Sequence, residues 1–259
     1  MKIIQGEKFI SLADNKKIFY CHTHEVNNFF KNDFNQDFIL ISHNSDAVVT
    51  NNIRDRNSVS ANLHADIKNI HDKCIRWFAQ NVEVEHDRLE SIPIGFENSY
   101  CQPSVMKLNK IANIINKDKH IKNLVYLNLN INNNISERLP IYEMLKNKPY
   151  VTTEYGRNGL AFDEYLDNLY NHKFMVCPEG NGIDVHQPWE SIYVNTIPIQ
   201  KKNINNKNWR ELPICWLDDW SQLQNEDFLI SEYNRITNTK FDKSKLYFDF
   251  WQNKIINSI

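Results

Sequence analysis

KFMVCPEGNGIDVHQPWESIYVNTIPI, residues 173 to 199, changes character three times along its length. Phe174 to Cys177 is an apolar run of strand length. Pro178 to Asp184 is a polar turn with two glycines, Gly180 and Gly182. Pro188 to Tyr193 has the composition of a helix, and Thr196 to Ile199 is apolar again. A strand that empties through a polar, glycine-bearing turn into a helix is the unit with which open α/β sheets build ligand sites at the carboxyl ends of their strands. The helix N-terminus adds free N–H groups and the positive end of its dipole. The unit suits a phosphate. Glu190, just inside the helix, is placed to accept hydrogen bonds from sugar hydroxyls.

The flanking sequence continues the alternation. Phe38 to Ser42 (FILIS) reads as a buried parallel strand that discharges into the polar turn His43-Asn44-Ser45-Asp46. Leu63, Ile67, Ile70, Cys74 and Trp77 recur at helical spacing, which predicts a helix over 62–81. Glu90 to Gly95 reads as a strand ending in glycine, and Val105 to Asn116 as a helix. A polar stretch, 116–122, marks a boundary. Beyond it, strands are expected at 123–129, 150–153 and 213–217. Helices are expected from Ser136, read as the N-cap, to about Lys146, over 162–171, from Asp218 onward, and over 241–256. The expected fold class is α/β. Two Rossmann-like domains, 1–118 and 119–259, face a cleft, with the C-terminal helix free to pack back on the first.

Three stretches resemble one family. PEGNGIDVHQPWESIYVNTIPI, from Pro178, resembles the C-terminal signature of exostosin-like glycosyltransferases of the family 47 kind. WFAQNVEVEHDRLESIPIGFEN, Trp77 to Asn98, and YLNLNINNNISER, Tyr126 to Arg138, resemble upstream parts of the same group, in the same order. The resemblance implies the GT-B architecture, with the nucleotide-sugar donor in the C-terminal domain and the acceptor in the N-terminal one. It also implies inverting transfer without an obligatory metal or other cofactor. In keeping with this, no Asp-x-Asp triplet occurs in the chain. One departure stands out: where the group has Arg before x-Trp-Glu, this chain has Gln187. A permanent, bidentate charge for a diphosphate is replaced by a neutral amide, with His186, Arg138 and Arg157 as the nearest candidates to compensate.

The donor-side candidates are Arg138, Arg157, Glu179, Gly180, Asn181, Gly182, Asp184, His186, Gln187 and Glu190. Gly180, Asn181 and Gly182 would let backbone approach phosphates closely, or simply form a tight turn. Glu179 faces the transferred sugar in this reading, and Asp184 either fixes the turn or contacts the sugar. Arg138 and Arg157 meet phosphate charge or form surface ion pairs. An inverting transfer needs a base for the acceptor hydroxyl. His43 and Asp46, at the end of the first buried strand, are the candidates; a structural histidine and a turn-forming aspartate are the plain alternatives. The pair in Cys21-His22-Thr23-His24 lacks a third ligand, so no metal is expected, and the tryptophans Trp189, Trp216 and Trp220 read as core.

Totals exclude several classes. The net charge is −2, which gives no electrostatic footprint for nucleic acid. Asparagine is the most frequent residue, but it is dispersed among apolar runs. Five cysteines without a CxxC pair suggest reduced thiols and a cytoplasmic chain. The expected function is an inverting, metal-independent glycosyltransferase that moves a sugar from a nucleoside-diphosphate sugar to a glycan or glycolipid, with at most peripheral membrane contact. An α-1,3-fucosyltransferase-like enzyme is one alternative. A non-catalytic glycan- or nucleotide-binding relic, favoured by Gln187, is the other.

Overall fold

The computed structural model describes residues 2–14, 16–101, 104–155 and 161–259. After a short helix α1 (Gly6–Ile10), the chain enters strand β1 (Ile18–His22), a helical turn α2 (Val26–Phe29) and strand β2 (Phe38–His43). A pair of two-residue strands, β3 (Val49–Thr50) and β4 (Ala65–Asp66), precedes β5 (Cys74–Ala79) and β6 (Leu89–Ser91). Helix α3 (Ser104–Ile114) leads into the second half. There β7 (Asn123–Leu129), α4 (Ile135–Leu145), β8 (Val151–Tyr155), α5 (Phe162–Tyr170), β9 (His172–Val176), α6 (His186–Tyr193), β10 (Ile197–Lys201) and β11 (Cys215–Leu217) alternate. Helices α7 (Glu226–Thr237) and α8 (Phe248–Ile256) close the chain. Among the described residues no helix is long and apolar enough to cross a membrane.

All pairings within the two large sheets are parallel. Parallel strands covered on both faces read as continuous apolar runs, and every residue of β2 is buried. The first sheet runs in chain order, β1-β2-β5-β6. The second runs β11-β10-β9-β7-β8, so its strand order reverses between β7 and β9. That is the Rossmann-like, doubly wound pattern, and the reversal is where such sheets open a crevice. The fold is therefore α/β with parallel sheets, as expected.

The halves share a core. Ile39, Ile41 and Phe78 of the first sheet pack in one cluster with Trp189 and Ile192 of α6, Trp209, and Phe248, Trp251 and Ile255 of α8. Trp189, Trp209 and Trp251 are each buried almost completely. Phe248 N–H donates to the Lys2 carbonyl at 2.7 Å, fixing α8 to the N-terminal segment.

Several local expectations fail for physical reasons. The helix over 62–81 does not form: Cys74–Ala79 is the strand between β2 and β6. Leu63, one of the residues that defined the helical spacing, is 39% exposed. Side chains compete for the backbone there, with Asn27 bonding both the His64 carbonyl and the Asp66 N–H, and Asp66 accepting from Lys68 N–H. Ser136 is not the N-cap, because α4 begins at Ile135 and the Ser136 hydroxyl donates to Asn134 Oδ1. The C-terminal helix starts at Phe248 instead of 241, since Asp242 accepts from Ser244 N–H and closes a turn first. The strand read at 90–95 is confined to Leu89–Ser91, while Gly95 takes a φ of 69° in a backbone that passes close to Ile4.

Candidate functional site

The Pro178–Asp184 turn leaves β9 at the strand reversal and ends on α6. Helix α6 has no acidic residue in its first turn and no side-chain cap; Pro188 has no N–H, so His186 and Gln187 supply its leading N–H groups. Arg138, on α4, lies beneath the turn and is only 4% exposed. Its Nε donates to the Glu179 carbonyl at 2.7 Å, Nη1 to the Asn130 carbonyl at 2.9 Å and Nη2 to the Pro178 carbonyl at 3.4 Å. The guanidinium thus ties the loops after β7 and β9 together. No carboxylate neutralises it in an ion pair among the described residues, and burial lowers its pKa from the usual arginine value. Gly180 fits closely against this arrangement: a Cβ there would stand 3.0 Å from Arg138 Nη2 and 3.1 Å from Val185 Cγ1.

The first half holds the turn from the other side. Asn81, buried and with a φ of 60°, donates to the Ser45 carbonyl at 3.0 Å and accepts from Asp184 N–H at 2.9 Å. A Cβ on Gly182 would lie 2.6 Å from Asn81 Nδ2. Arg56 donates to the Asn181 carbonyl at 2.9 Å and pairs with Glu179, and Asn57 donates to the Gly180 carbonyl at 2.6 Å. Arg56 and Asn57 were not anticipated, and the only sequence signal for them is a short polar run, Asn51 to Ser58.

Two compartments open beside the turn. One, of about 430 Å³, is lined by Asn128, Asn130, Asn133, Arg138, the Gly180–Gly182 turn and the start of α6. The other, of about 250 Å³, is lined by residues of the first half, Asn44 to Asp46, Gln80, Asn98 and Tyr100 among them. Asp46, Ile94 and His186 border both. Asp46 accepts from Asn181 Nδ2 at 3.3 Å across the gap. His186 Nδ1 lies 2.8 Å from the Gly95 carbonyl. A carbonyl only accepts, so Nδ1 carries the proton and Nε2 keeps its lone pair. Gln187 also lines the larger compartment, but its amide donates to the Asn128 carbonyl at 2.8 Å.

The structure therefore brings Asp46, Arg138, Gly180, Asn181, Gly182, Asp184, His186 and Gln187 to one cleft. It places the other candidates elsewhere. His43 is fully buried, with Nε2 at 3.0 Å from the Pro93 carbonyl and Nδ1 at 3.1 Å from Asn44 Oδ1. Burial lowers its pKa to about 4. Its ring packs beside Phe9 and it lines neither compartment, so the expected base role is corrected to a structural one. Glu179 turns away from the cleft, held by Arg56 and by Asn203 at 3.2 Å, and burial raises its pKa to about 7. Glu190 is 1% exposed, accepts from the Tyr165 hydroxyl at 2.7 Å and does not line the cleft. The sugar contacts expected of Glu179 and Glu190 are corrected accordingly. Asp184 borders the larger compartment, but its oxygens accept from Ile94 N–H at 2.7 Å and from Trp189 Nε1 at 3.1 Å. It fixes the turn, and burial raises its pKa to about 7. Arg157 lies outside the described residues.

A larger groove, about 590 Å³, runs along β6 and α8, away from this cleft. Lys207 pairs with Glu85 at 2.7 Å and Lys254 with Glu90, so the groove's cations are already neutralised. Among the described residues no cluster of three or more His, Cys, Asp or Glu is placed to hold a metal ion. Comparison with protein-family models gives no match, and comparison with curated proteins gives none.

Proposed function

We propose that this chain is a glycosyltransferase of the GT-B arrangement, with an acceptor-side domain over 1–118 and a donor-side domain over 119–259. It transfers a sugar from a nucleoside-diphosphate sugar to a glycan or glycolipid acceptor with inversion and without a metal. The observation that carries the reading is a buried Arg138 with no ion-pair partner among the described residues, beneath a glycine turn at the strand reversal and facing Asp46 and His186 across one cleft. A preorganised cation and an uncapped helix N-terminus stabilise charge that develops on a leaving diphosphate.

In this mechanism the acceptor hydroxyl attacks the anomeric carbon from the face opposite the diphosphate. The bond from anomeric carbon to phosphate oxygen breaks as the new glycosidic bond forms. The hydroxyl proton passes to His186 Nε2, whose lone pair is preserved by the Gly95 carbonyl on the other nitrogen. Imidazole suits base work near neutral pH. Asp46, on the same border, orients the hydroxyl. The diphosphate departs toward Arg138 and the Gly180–Gly182 turn.

The test is thermal denaturation with UDP, GDP, CMP and dTDP and their sugars, with and without EDTA. One nucleotide is expected to raise the melting temperature selectively, with EDTA making no difference. No shift with any of them at millimolar concentration is the result that opposes the reading. A second reading, a non-catalytic relic, rests on Gln187, whose amide is tied to the Asn128 carbonyl. Gln187→Arg separates the two: a transferase gains nucleotide affinity and turnover, and a relic gains no turnover.

A further inference from the structure

The smaller compartment has a lining that selects by charge. Most of its polar groups are already committed. Asn98 donates to Asn44 Oδ1 at 2.9 Å and to the Tyr100 hydroxyl at 2.7 Å, and accepts from Glu7 N–H at 2.9 Å. Asn44 donates to the Tyr20 hydroxyl at 2.7 Å. Gln80 is different. It is 1% exposed, its Oε1 accepts from Asn44 N–H at 2.9 Å, and its Nε2 makes no hydrogen bond among the described residues. Gln80 lines the compartment, so this buried amide presents two donors to whatever fills it.

Three more groups complete the set. Asp46 uses one oxygen on Asn181 and leaves the other as an acceptor. His186 Nε2 is an acceptor, by the tautomer argument above. Tyr100 stands at the rim, 62% exposed, and its hydroxyl accepts from Asn98. The uncommitted groups are thus the Gln80 donor pair, the Tyr100 O–H, two acceptors and an exposed aromatic ring. Among the described residues no lysine or arginine lines the space.

Sugar hydroxyls both donate and accept, and the C–H face of a pyranose is apolar. A neutral pyranose offers a partner to each of these groups. A carboxylate or sulfate there would lie beside Asp46 with no cation among the described lining residues to compensate, which is costly in a partly buried space. We infer that this compartment binds an uncharged pyranose, stacked on Tyr100 and hydrogen-bonded by Gln80, Asp46 and His186, and that it rejects acidic sugars. Resting on the transferase reading, this names the acceptor class as a neutral terminal sugar. It excludes uronic and sialic acid ends.

The experiment is saturation-transfer NMR on the full chain with methyl glycosides of glucose, galactose, mannose and xylose, and with methyl glucuronide. The last has the same ring as the glucoside and differs by a carboxylate. At least one neutral glycoside is expected to bind, with the glucuronide about tenfold weaker than the glucoside or worse. Tyr100→Ala is expected to weaken the neutral ligand about tenfold, as is Gln80→Leu. Tyr100 is exposed, so its replacement tests the site even where Gln80→Leu disturbs the fold. Equal or tighter binding of the glucuronide overturns the inference, as does unchanged binding in Tyr100→Ala or the absence of any glycoside binding at tens of millimolar. Nucleotide-induced stabilisation is measured in parallel. A nucleotide shift without glycoside binding overturns the neutral-sugar site alone. Glycoside binding without a nucleotide shift leaves that site standing and opposes the transferase reading.

Discussion

The two sheets are built from the same parallel strands, yet only one creates a crevice of its own. The first runs β1-β2-β5-β6 in chain order; the second reverses between β7 and β9. At a reversal the connections on either side depart to opposite faces, and the strand ends are left open. The glycine turn and Arg138 occupy that opening. The first sheet has no such gap, and its strand-end loops serve as the facing wall. Two histidines show the same division. His43 ends β2, and His186 starts α6. Each has one ring nitrogen against a backbone carbonyl, Pro93 for His43 and Gly95 for His186. In the first sheet the second nitrogen is also covered. In the second half it meets the cleft.

The strongest way to break this comparison is to remove each histidine in turn. His186→Ala is expected to lower turnover by about 10²–10⁴-fold while the nucleotide-induced thermal shift persists. His43→Ala should leave the pH profile of turnover in place and lower the melting temperature instead. Steady-state kinetics with calorimetry separates the two, and equal losses of turnover would erase the distinction.

The next effect is one of pH. His43 titrates at about 4 when folded, against 6.5 for the ordinary side chain, because burial disfavours its charge. Between those values the unfolded chain takes up a proton that the folded chain refuses. Its contribution is complete above pH 6.5 and is lost as pH falls toward 4, by about 3 kcal/mol. His43→Gln does not titrate. The stability difference between wild type and His43→Gln is therefore expected to shrink by about that amount from pH 7 to pH 4 in denaturant unfolding. Asp184 works in the opposite direction. Its folded value is raised to about 7, so it favours the folded state as pH falls through 7 toward its ordinary value of 3.8. A difference that stays constant with pH would mean that His43 is open to water.

The strand–turn–helix at 173–199 was legible because all its signals agree: an apolar run, a polar turn with paired glycines and a stretch of helical composition. The strands at 38–42 and 123–129 were legible for the same reason. The failures have a common cause, which is that sequence spacing does not report where side chains point. Leu63 to Trp77 fits a helical period by coincidence of a turn and a strand. Glu190 and Glu179 sit beside the motif in sequence, but Tyr165 and Arg56 draw them away from the cleft. Arg56 and Asn81 act across the two halves, at separations of over a hundred residues, and no local pattern marks such contacts.

Smaller perturbations test how the halves are joined. Gly182→Ala puts a Cβ 2.6 Å from Asn81 Nδ2 and 3.1 Å from its Cγ. Asn81 is itself fixed by three partners, the Ser45 and Ala47 carbonyls and the Asp184 N–H, so it has little room to yield. The expected cost is about 1–3 kcal/mol, read from thermal unfolding. Nucleotide affinity should fall with it, since the turn cannot keep its shape. Gly180→Ala meets Arg138 at 3.0 Å and should cost less.

The weakest link is the most direct one. Asn181 and Asp46 join the lips of the cleft by a single bond of 3.3 Å between exposed groups. A long, solvated hydrogen bond contributes little, so Asn181→Ala is expected to change stability by less than about 1 kcal/mol. Nucleotide affinity should stay within about threefold of wild type, because Arg138 and the two glycines of the turn are untouched. The stronger joints lie deeper, at Asn81, at Arg56 and in the core that Trp189 and Trp209 share with the first sheet. Denaturant unfolding of Asn181→Ala beside Asn81→Ala measures the contrast. A larger loss in the first variant would mean that the cleft is closed at its lips, with the buried contacts following from that closure.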